Sequence, residues 1–507
     1  MGDLKGKKVL IFQQRGWGKT IGRFLAKKFY EEGCRLAAIT SKSTTHELIV
    51  NQTDAKYDLI VSHDSIISRP DIFLSGDKFS LTEICRELGV DSVWPIVQSS
   101  RMHVRTYKDK FYYGYKQNVS DEKIVEYVMA VYKCVKMVFE KFKPDAIISP
   151  NFVSLYHIFF NLYGKKHGVP MFAVTDTKIR GVFMFSYGYQ DDSGLFFDRL
   201  KELNEGGESK SRELAKKYIS EFRTEFKKPL DAERLAEKRK KKTIWQWIRH
   251  EGSPYYQSLK WILGKRPVNP LESTGINIDY RPPKIMLRDH YCKKLYHYRA
   301  NNFSYYNLDS IKKYVYFPLQ FQPEETMDVA APFFNNQIDT ARLVAQSLPD
   351  DYTLVVKDHP EMVELRPPSY LEKVARTPNV KLIDYRVSSK KVLERASLVI
   401  SPNSTTIVEA VFLKKPVIQL GDLGTTQMLP GVIKHTDMRT LSKKVKEALV
   451  VNTENPEYER RLENFVSAAY DAGFDVDYFG AWESGRKDEY GAIWNAYKKE
   501  LCRALKI

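Results

Sequence analysis

The chain has 507 residues, of which 43% are apolar and 28% are charged, and this balance excludes a fibrous or an intrinsically disordered protein. Its 80 basic residues outnumber 63 acidic ones and give a net charge of +17, which suits a nucleic acid, an anionic membrane or a phosphorylated small molecule. Five scattered cysteines without a CxxC pair exclude a disulfide framework and a zinc site of that type.

Residues 1–200 alternate short apolar runs with segments of helix length. The apolar runs lie at residues 7–12, 35–39, 57–61, 92–97, 145–149 and 170–174. This alternation predicts strands of a parallel sheet covered by helices, which is a Rossmann-like domain. The first residues lack the pattern of a signal peptide, so we expect a cytoplasmic protein.

Two glycines follow the first predicted strand. Gly16 and Gly18 belong to the segment Arg-Gly-Trp-Gly-Lys-Thr of residues 15–20. Their spacing fits neither the phosphate loop of ATPases nor the dinucleotide-binding fingerprint, which disfavours both classes. Two interpretations stay open, a tight turn that needs small residues and a loop beneath a bound substrate.

Residues 201–310 are predicted to be a basic helical insertion or linker. Residues 201–270 contain 18 basic and 10 acidic residues and no strand pattern. A basic run at residues 238–242 precedes several tryptophans and tyrosines up to Trp261. Basic residues beside aromatic ones are typical of a segment that lies on an anionic membrane surface. A solvated charged helix is the alternative, and nucleic acid is disfavoured because no known binding module accompanies the segment.

Residues 311–450 repeat the alternation of strands and helices, and residues 451–507 form a predicted helical tail. Strand patterns begin near residues 314, 352, 380, 398 and 416. The sequence therefore predicts an α/β fold in which two Rossmann-like domains face a cleft. Ligands of such domains bind at the carboxyl ends of the strands, so we expect the functional residues there.

Two polar motifs follow strands of the second predicted domain. Residues 355–361 lead from a strand into a loop in which Pro360 restricts the backbone next to His359. A histidine there can donate a hydrogen bond to a phosphate oxygen, or it can cap a helix. Residues 398–410 lead from a strand through a hydroxyl-rich loop into a helix, which predicts a phosphate site or an ordinary N-cap.

These segments occur in an order that resembles the capsular polysaccharide biosynthesis proteins related to Kdo transferases. The resemblance rests on residues 317–324, on the sequence Lys-Asp-His-Pro of residues 357–360 and on residues 401–417, and it is best over residues 311–430. It implies a glycosyltransferase of the GT-B fold that uses a nucleotide-sugar donor such as CMP-Kdo. Bacterial sialyltransferases and polysialyltransferases share the His-Pro motif and the following Ser/Thr motif.

The resemblance also implies roles for individual residues. His359 would bind or protonate the leaving phosphate. Ser404, Thr405 and Thr406 would hold the phosphate oxygens, and Gln322 would line the cleft. Lys357, Pro360 and Ser401 are also expected at the donor. Glu409, one turn into the predicted helix, is placed to reach ribose hydroxyls. The nucleotide sugar is a substrate, and neither a cofactor nor a metal is expected.

The resemblance does not single out one residue as the general base, and it does not fix the residues that bind the acceptor. The acidic motif that supplies the base in sialyltransferases has no clean match, because Ser193 interrupts it after Asp191 and Asp192. Together with Asp176, these two aspartates are the candidates for the base. A glycan or a lipid-linked glycan is the expected acceptor, and its candidate binding residues are Gly16, Gly18, Arg101 and Arg105.

The expected place of action is the inner face of the cell membrane, where the enzyme is bound peripherally. Two alternatives keep the fold and change the function: a poly(glycerol phosphate)-type transferase or UDP-sugar epimerase, and a non-catalytic scaffold of the polysaccharide machinery. Only the scaffold predicts that no nucleotide binds.

Overall fold

The computed structural model describes residues 3–100, 120–226, 243–264 and 282–507. These residues build one β-sheet of seven strands and another of six, each covered by helices. The predicted α/β fold with two Rossmann-like domains is therefore confirmed. The four segments predicted from the sequence, 1–200, 201–310, 311–450 and 451–507, stay predictions as domain boundaries.

The first sheet has the strand order β13-β6-β5-β4-β1-β2-β3. Its strands are β1 (Lys8–Gln14), β2 (Arg35–Ser41), β3 (Tyr57–Ser62), β4 (Ala146–Ser149), β5 (Met171–Asp176), β6 (Val182–Ser186) and β13 (Phe474–Asp475). Strands β1 to β5 pair in parallel, whereas β6 runs antiparallel to β5. The apolar residues of β1 are buried because helices cover both faces of the sheet.

Nine helices of the described residues accompany this sheet. They are α1 (Arg15–Lys19), α2 (Ile21–Glu31), α3 (Ser43–Asn51), α4 (His63–Ser68), α5 (Pro70–Leu74), α6 (Leu81–Leu88), α7 (Trp94–Val97), α8 (Asp121–Lys141) and α9 (Leu155–Lys166). Leu10 and Phe12 share a core with α8, while Val9 and Ile11 share one with α2. The alternation of side chains along β1 thus supplies both faces of the sheet.

The apolar run at residues 92–97 does not form the predicted strand, and that prediction is wrong. The structure has the short helix α7 there, with Pro95 in its first turn. Proline has no N–H to donate to a sheet ladder but fits the first turn of a helix, where that N–H would have no partner.

The second sheet is parallel throughout and has the order β12-β11-β10-β7-β8-β9. Its strands are β7 (Tyr314–Pro318), β8 (Thr353–Lys357), β9 (Val380–Ile383), β10 (Leu398–Ser401), β11 (Val417–Gln419) and β12 (Val432–Lys434). Its helices are α14 (Glu325–Asp328), α15 (Gln337–Gln346), α16 (Pro368–Ala375), α17 (Ser389–Arg395), α18 (Thr405–Phe412), α19 (Gly424–Gln427) and α20 (Leu441–Leu449). The first strand of this sheet, β7, has β8 on one side and β10 on the other, so the strand order reverses at β7.

Four helices connect the two sheets within the described residues. They are α10 (Leu195–Asn204), α11 (Arg212–Glu225), α12 (Ile244–Ile262) and α13 (Pro283–Asn301). Helices α12 and α13 pack against each other as an antiparallel hairpin, because Glu251 pairs with Lys294 and Tyr255 with Tyr291. Across the described residues, none of the helices has both the length and the apolar character that spanning a bilayer requires.

The chain ends with α21 (Pro456–Ala472), α22 (Tyr478–Ser484) and α23 (Tyr490–Ala504). Strand β13 follows α21 and extends the first sheet by pairing with β6. The indole N–H of Trp17 donates to the Tyr478 hydroxyl at 2.8 Å, and the Tyr187 hydroxyl donates to Glu500 at 2.5 Å. Residues predicted as a helical tail therefore complete the first domain.

The carboxyl edges of the two sheets face each other. Phe152, which follows β4, donates its N–H to the carboxylate of Glu325, which follows β7, at 3.4 Å. A second contact joins Gly424 to Gln190, with an N–H···O distance of 2.7 Å. Loops from the carboxyl ends of both sheets thus meet where ligands of such domains bind.

Candidate active site at the facing edges of the two sheets

His359 lies in the loop that follows β8. Its Nδ1 accepts a hydrogen bond from the N–H of Glu361 at 3.1 Å, at the start of a short 3-10 turn, Pro360–Met362. Because Nδ1 is the acceptor, the neutral imidazole carries its proton on Nε2. His359 can therefore cap the turn through Nδ1 and at the same time donate a hydrogen bond to a ligand through Nε2.

A buried ion pair holds the His359 loop. Asp358 accepts hydrogen bonds from the His359 N–H at 2.8 Å and from the Arg366 guanidinium, and both side chains are at most 2% exposed. Arg366 also donates to the carbonyl of Gln320 at 2.7 Å, which ties the β8 loop to the β7 loop. Burial raises the pKa of Asp358, and Arg366 opposes the rise. Sequence reasoning missed Arg366 because it belongs to no motif.

The hydroxyl-rich segment leads from β10 into α18. Ser404 is the N-cap of α18, and its Oγ accepts from the Thr406 N–H at 3.0 Å. Ser401 is buried and accepts from the Gln320 amide at 3.3 Å, whereas Thr405 is exposed. The helix begins beside the end of β7, on the side opposite to the His359 loop. The two predicted motifs therefore flank the point where the strand order reverses, which is where parallel sheets bind ligands.

Two further polar residues of this segment are buried. The amide of Asn403 donates to the carbonyls of Thr326 at 2.8 Å and Ala330 at 3.0 Å, so it anchors the β7 loop. The side chain of Glu409 is 6% exposed. Burial of Tyr316 in β7 raises the pKa of this tyrosine, and the nearby charge of Glu409 raises it further. The predicted contact of Glu409 with a ribose stays a prediction.

The remaining residues predicted at the donor differ in their surroundings. Lys357 donates through Nζ to the carbonyl of Val387 at 3.0 Å and to the hydroxyl of Ser389 at 3.2 Å. The side-chain amide of Gln322 donates to the Asn335 carbonyl at 3.1 Å and accepts from Gln337 at 2.7 Å. Pro360 is exposed in the His359 loop. Lys357 and Gln322 thus hold neighbouring loops in this structure, and their donor-binding roles stay predictions.

Acidic residues of the first domain gather around Lys178. Asp176, the last residue of β5, lies 3.6 Å from the ammonium group and also accepts from the Lys178 N–H at 2.8 Å. Although burial lowers it, the pKa of Lys178 is raised overall by Asp176, Asp191 and Glu324. Glu324 belongs to the second domain, so this cluster joins the two domains. Sequence reasoning had no signal for Lys178, which follows the strand at a positive φ of 69°.

The loop with Asp191 and Asp192 docks against the second domain. The Asp191 carboxylate accepts from the Thr175 hydroxyl at 2.9 Å, and its backbone carbonyl accepts from Thr425 at 3.4 Å. Burial raises the pKa of Asp191, while Lys178 opposes the rise. Asp192 is exposed. Gly424 is required for this approach, since a Cβ there would lie 2.5 Å from the Asp191 carbonyl oxygen.

The residues predicted at the acceptor are only partly described. Gly16 and Gly18 lie in α1, where a Cβ on Gly18 would lie 2.9 Å from the backbone of Gln13 and from Thr45. Glycine is therefore needed for packing at position 18, and its contact with an acceptor stays a prediction. Arg101 and Arg105 lie outside the described residues, as does the basic run at residues 238–242.

Comparison with known families supports the resemblance of the second domain. Residues 279–442 match a family described as capsule polysaccharide biosynthesis protein. This match includes both the His359 loop and the Ser404 segment, and the predicted resemblance is confirmed over these residues. No curated protein matches the chain.

Solved structures of similar architecture include a transferase and two epimerases. The KpsC beta Kdo 2,4 transferase of Thermosulfurimonas dismutans is 12% identical over 66% of this chain and 82% of that chain, with a TM-score of 0.31. The UDP-GlcNAc 2-epimerase of Methanocaldococcus jannaschii is 12% identical, and that of Neisseria meningitidis bound to UDP-GlcNAc is 11% identical. Each epimerase alignment covers 92% of this chain and 98% of that chain, with a TM-score of 0.24. At these TM-scores the alignments assign no role to any residue of this chain.

Proposed function

We propose that the protein is a glycosyltransferase of capsule-type polysaccharide biosynthesis that transfers an acid sugar from a CMP-linked donor, such as CMP-Kdo, to a glycan or lipid-linked glycan. One observation carries the proposal. The His359 loop and the first turn of α18 flank the carboxyl end of β7 inside the region that matches the capsule family. An imidazole donor and a helix N-terminus at one strand end suit a nucleotide phosphate.

The leaving group would be stabilised by the second domain. The acceptor hydroxyl attacks the anomeric carbon, the bond from that carbon to the phosphate oxygen breaks, and its electron pair leaves with CMP. The Nε2–H of His359 donates to that phosphate, and the partial positive charge of the α18 N-terminus adds to it. Because these groups carry the charge, the proposed reaction needs no metal, and activity should persist in EDTA.

The base would come from the first domain. Among the three candidate aspartates, Asp191 combines a raised pKa with contact to the second domain. A carboxylate with a raised pKa is a better proton acceptor than an ordinary surface aspartate. Asp176 is engaged by Lys178 and Asp192 is exposed, so we assign the base to Asp191.

The same proposal includes peripheral binding to the inner face of the cell membrane. Helix α12 exposes an apolar stripe at helical spacing, with residues between 47% and 78% exposed: Ile244, Ile248, Tyr255, Leu259 and Ile262. Helices α12 and α13 together contain seven basic and two acidic residues. An apolar face on a basic hairpin suits an anionic lipid surface.

A panel of nucleotides tests the donor assignment. The melting temperature of the wild-type protein is measured with CMP, UDP, GDP and CDP, and then for His359→Ala. We expect CMP to stabilise the wild type, because a ligand at 100 times its Kd adds about 2.7 kcal/mol. His359→Ala should lose this stabilisation, whereas His167→Ala, an exposed histidine of the first domain, should keep it.

Other outcomes of the panel select the alternatives. Stabilisation by UDP alone would replace the CMP donor with a UDP-sugar, as for an epimerase, and stabilisation by CDP alone would favour a poly(glycerol phosphate)-type transferase. If no nucleotide stabilises the wild type, the protein is a scaffold and the proposal fails.

A further inference from the structure

A cavity opens at the carboxyl edge of the first sheet, apart from the His359 loop. It has a volume of about 180 Å³ and is lined by residues that follow β1, β2, β3 and β4. Serine hydroxyls and the Gln14 amide contribute to the lining. Four strand ends thus meet at a cavity that neither predicted motif includes.

Two cationic side chains line this cavity from strained backbone positions. Arg15 follows β1 with φ at 44°, and Lys42 follows β2 with φ at 81° and ψ at 130°. The two residues are neighbours, because Gln14 and Ser41 pair in the register of β1 and β2. Positive φ is costly for any residue other than glycine, and such strain concentrates at functional sites. The cavity therefore has long cationic side chains at positions where glycine would be the more stable choice.

The aromatic side chains of the lining add no charge to the cavity. Tyr156 stacks against His63 with ring centroids 4.0 Å apart, and its hydroxyl pairs with Ser41 at 2.6 Å. Burial, and next the charge of Lys42, lower the pKa of His63 to about 3, so this histidine is neutral near pH 7. The positive charge of the cavity lining thus comes from Arg15 and Lys42.

Asp64 supplies a hydrogen-bond acceptor in the lining of this cavity. It is 6% exposed, lines the cavity, and its Oδ2 has no hydrogen-bond partner among the described residues. A buried carboxylate oxygen without a partner is costly unless a ligand satisfies it. A sugar hydroxyl is a suitable hydrogen-bond donor to Asp64, and serine side chains and Gln14 in the same lining offer partners to further sugar hydroxyls.

We propose that this cavity binds an acidic sugar of the acceptor, with Arg15 and Lys42 pairing with its carboxylate or phosphate and Asp64 accepting from one of its hydroxyls. The inference rests on the proposed function, because it takes the first domain as the acceptor domain. It narrows the acceptor to glycans whose terminal sugar carries an anionic group.

Replacement of Lys42 by glycine tests this proposal without endangering the fold. Binding of glucuronate, glycerol 3-phosphate and glucose is measured by titration calorimetry, and the melting temperature is recorded in parallel. We expect the wild type to bind an anionic probe and to bind glucose far more weakly. Lys42→Gly should weaken anion binding on the order of tenfold, because the variant loses one charge-assisted hydrogen bond to the anion. Its melting temperature should be unchanged or higher, since the backbone strain is relieved.

Lys143→Gly is the matched control. Lys143 is an exposed lysine at a positive φ of 55° outside the cavity, so its replacement removes one charge and one strained residue but should leave anion binding intact. Preference for glucuronate identifies a carboxylated sugar, and preference for glycerol 3-phosphate a phosphorylated one.

Three results would overturn the inference: equal binding of glucose and the anions, no anion binding by the wild type, or wild-type affinity in Lys42→Gly. Stabilisation by CMP reports on the second domain. If CMP does not stabilise the wild-type protein but the anionic probes still bind, the proposed CMP-linked donor is refuted and the assignment of the cavity stands.

Discussion

His63 and His157 lie on either side of Tyr156, each with its ring centroid 4.0 Å from that of the tyrosine. Burial lowers the pKa of both histidines, for His63 to about 3. In the unfolded chain a histidine regains its ordinary pKa of 6.5. Below pH 6.5 the unfolded state therefore binds more protons than the folded state, and stability is lost as the pH falls from 6.5 towards 3.

His63→Gln should make the stability of the protein less dependent on pH, because the unfolded variant no longer takes up a proton at position 63. Between pH 7 and pH 5, His63 contributes about 2 kcal/mol to the loss of unfolding free energy, and the variant should lack this part. Chemical denaturation at both pH values, with wild type and variant in parallel, gives the difference. If the two proteins lose the same free energy over this interval, His63 is protonated in the folded state and our account of it is wrong.

Among the single residues of the candidate site, the sequence predicts those that belong to motifs and misses those that hold the motif residues in place. His359 and Ser404 are found because each follows a strand pattern in a polar loop. Arg366 is not found, because it meets Asp358 only once the loop between them has folded. Lys178 is not found, because its pairing with Asp176, two residues earlier, belongs to no motif. Supporting residues become visible only when the loops are placed in space.

At the scale of elements, the hairpin of α12 and α13 differs from the other helices. Most amphipathic helices of this chain bury their apolar face against a sheet, whereas α12 buries only Ser258. Its apolar stripe is exposed beside the cationic residues Arg249 and Lys260. Such a helix suits a lipid surface better than water.

A double substitution in this stripe should weaken membrane binding. Leu259→Gln with Ile262→Gln removes two side chains that are 54% and 71% exposed, so the fold should persist. Co-sedimentation with vesicles that contain phosphatidylglycerol should fall on the order of tenfold or more, because two apolar side chains no longer enter the interface.

The matched control is Val50→Gln with Ile72→Gln, whose side chains are 50% and 61% exposed in the first domain. This variant should bind vesicles like the wild type. Equal binding by the two double variants would rule out the stripe as the lipid contact.

Most elements with strong patterns were predicted, although the buried apolar strand β6 was not, and the other exceptions have physical causes. The strands of the second sheet follow apolar runs, and each was indicated near its observed start except the short β12. Helix α7 has the composition of a strand, but Pro95 excludes it from a ladder. Strand β13 has only two residues and owes its existence to β6, so its own sequence has no periodicity to read.

At the scale of the whole molecule, the two domains divide the proposed chemistry. The donor groups follow β8 and β10 of the second sheet, while Asp191 follows β6 of the first. Nucleotide binding and proton removal should therefore be separable by substitution. The facing of the two sheet edges was predictable from the fold class, but the contact through Gly424 was not, because it depends on how the domains dock.

Asp191→Asn should abolish transfer and keep stabilisation by CMP. Loss of a general base lowers kcat about 100-fold or more, whereas the donor site in the other domain is unchanged. The release of CMP from CMP-Kdo with an acidic glycolipid acceptor measures the first property, and thermal shift measures the second.

Asp192→Asn changes the adjacent, exposed carboxylate and should leave both properties within a factor of about two, the range expected of surface substitutions. Wild-type transfer by Asp191→Asn would remove Asp191 from the reaction.

The pairing of β13 with β6 also has a consequence for the order of synthesis. Domains generally fold on the ribosome in the order in which they emerge. Here the first sheet receives its edge strand from residues 474–475 and part of its covering from α22 and α23, all translated after the second sheet is complete. The domain that is translated first is therefore finished last, and until then β6 has an open edge for which the nascent chain needs protection.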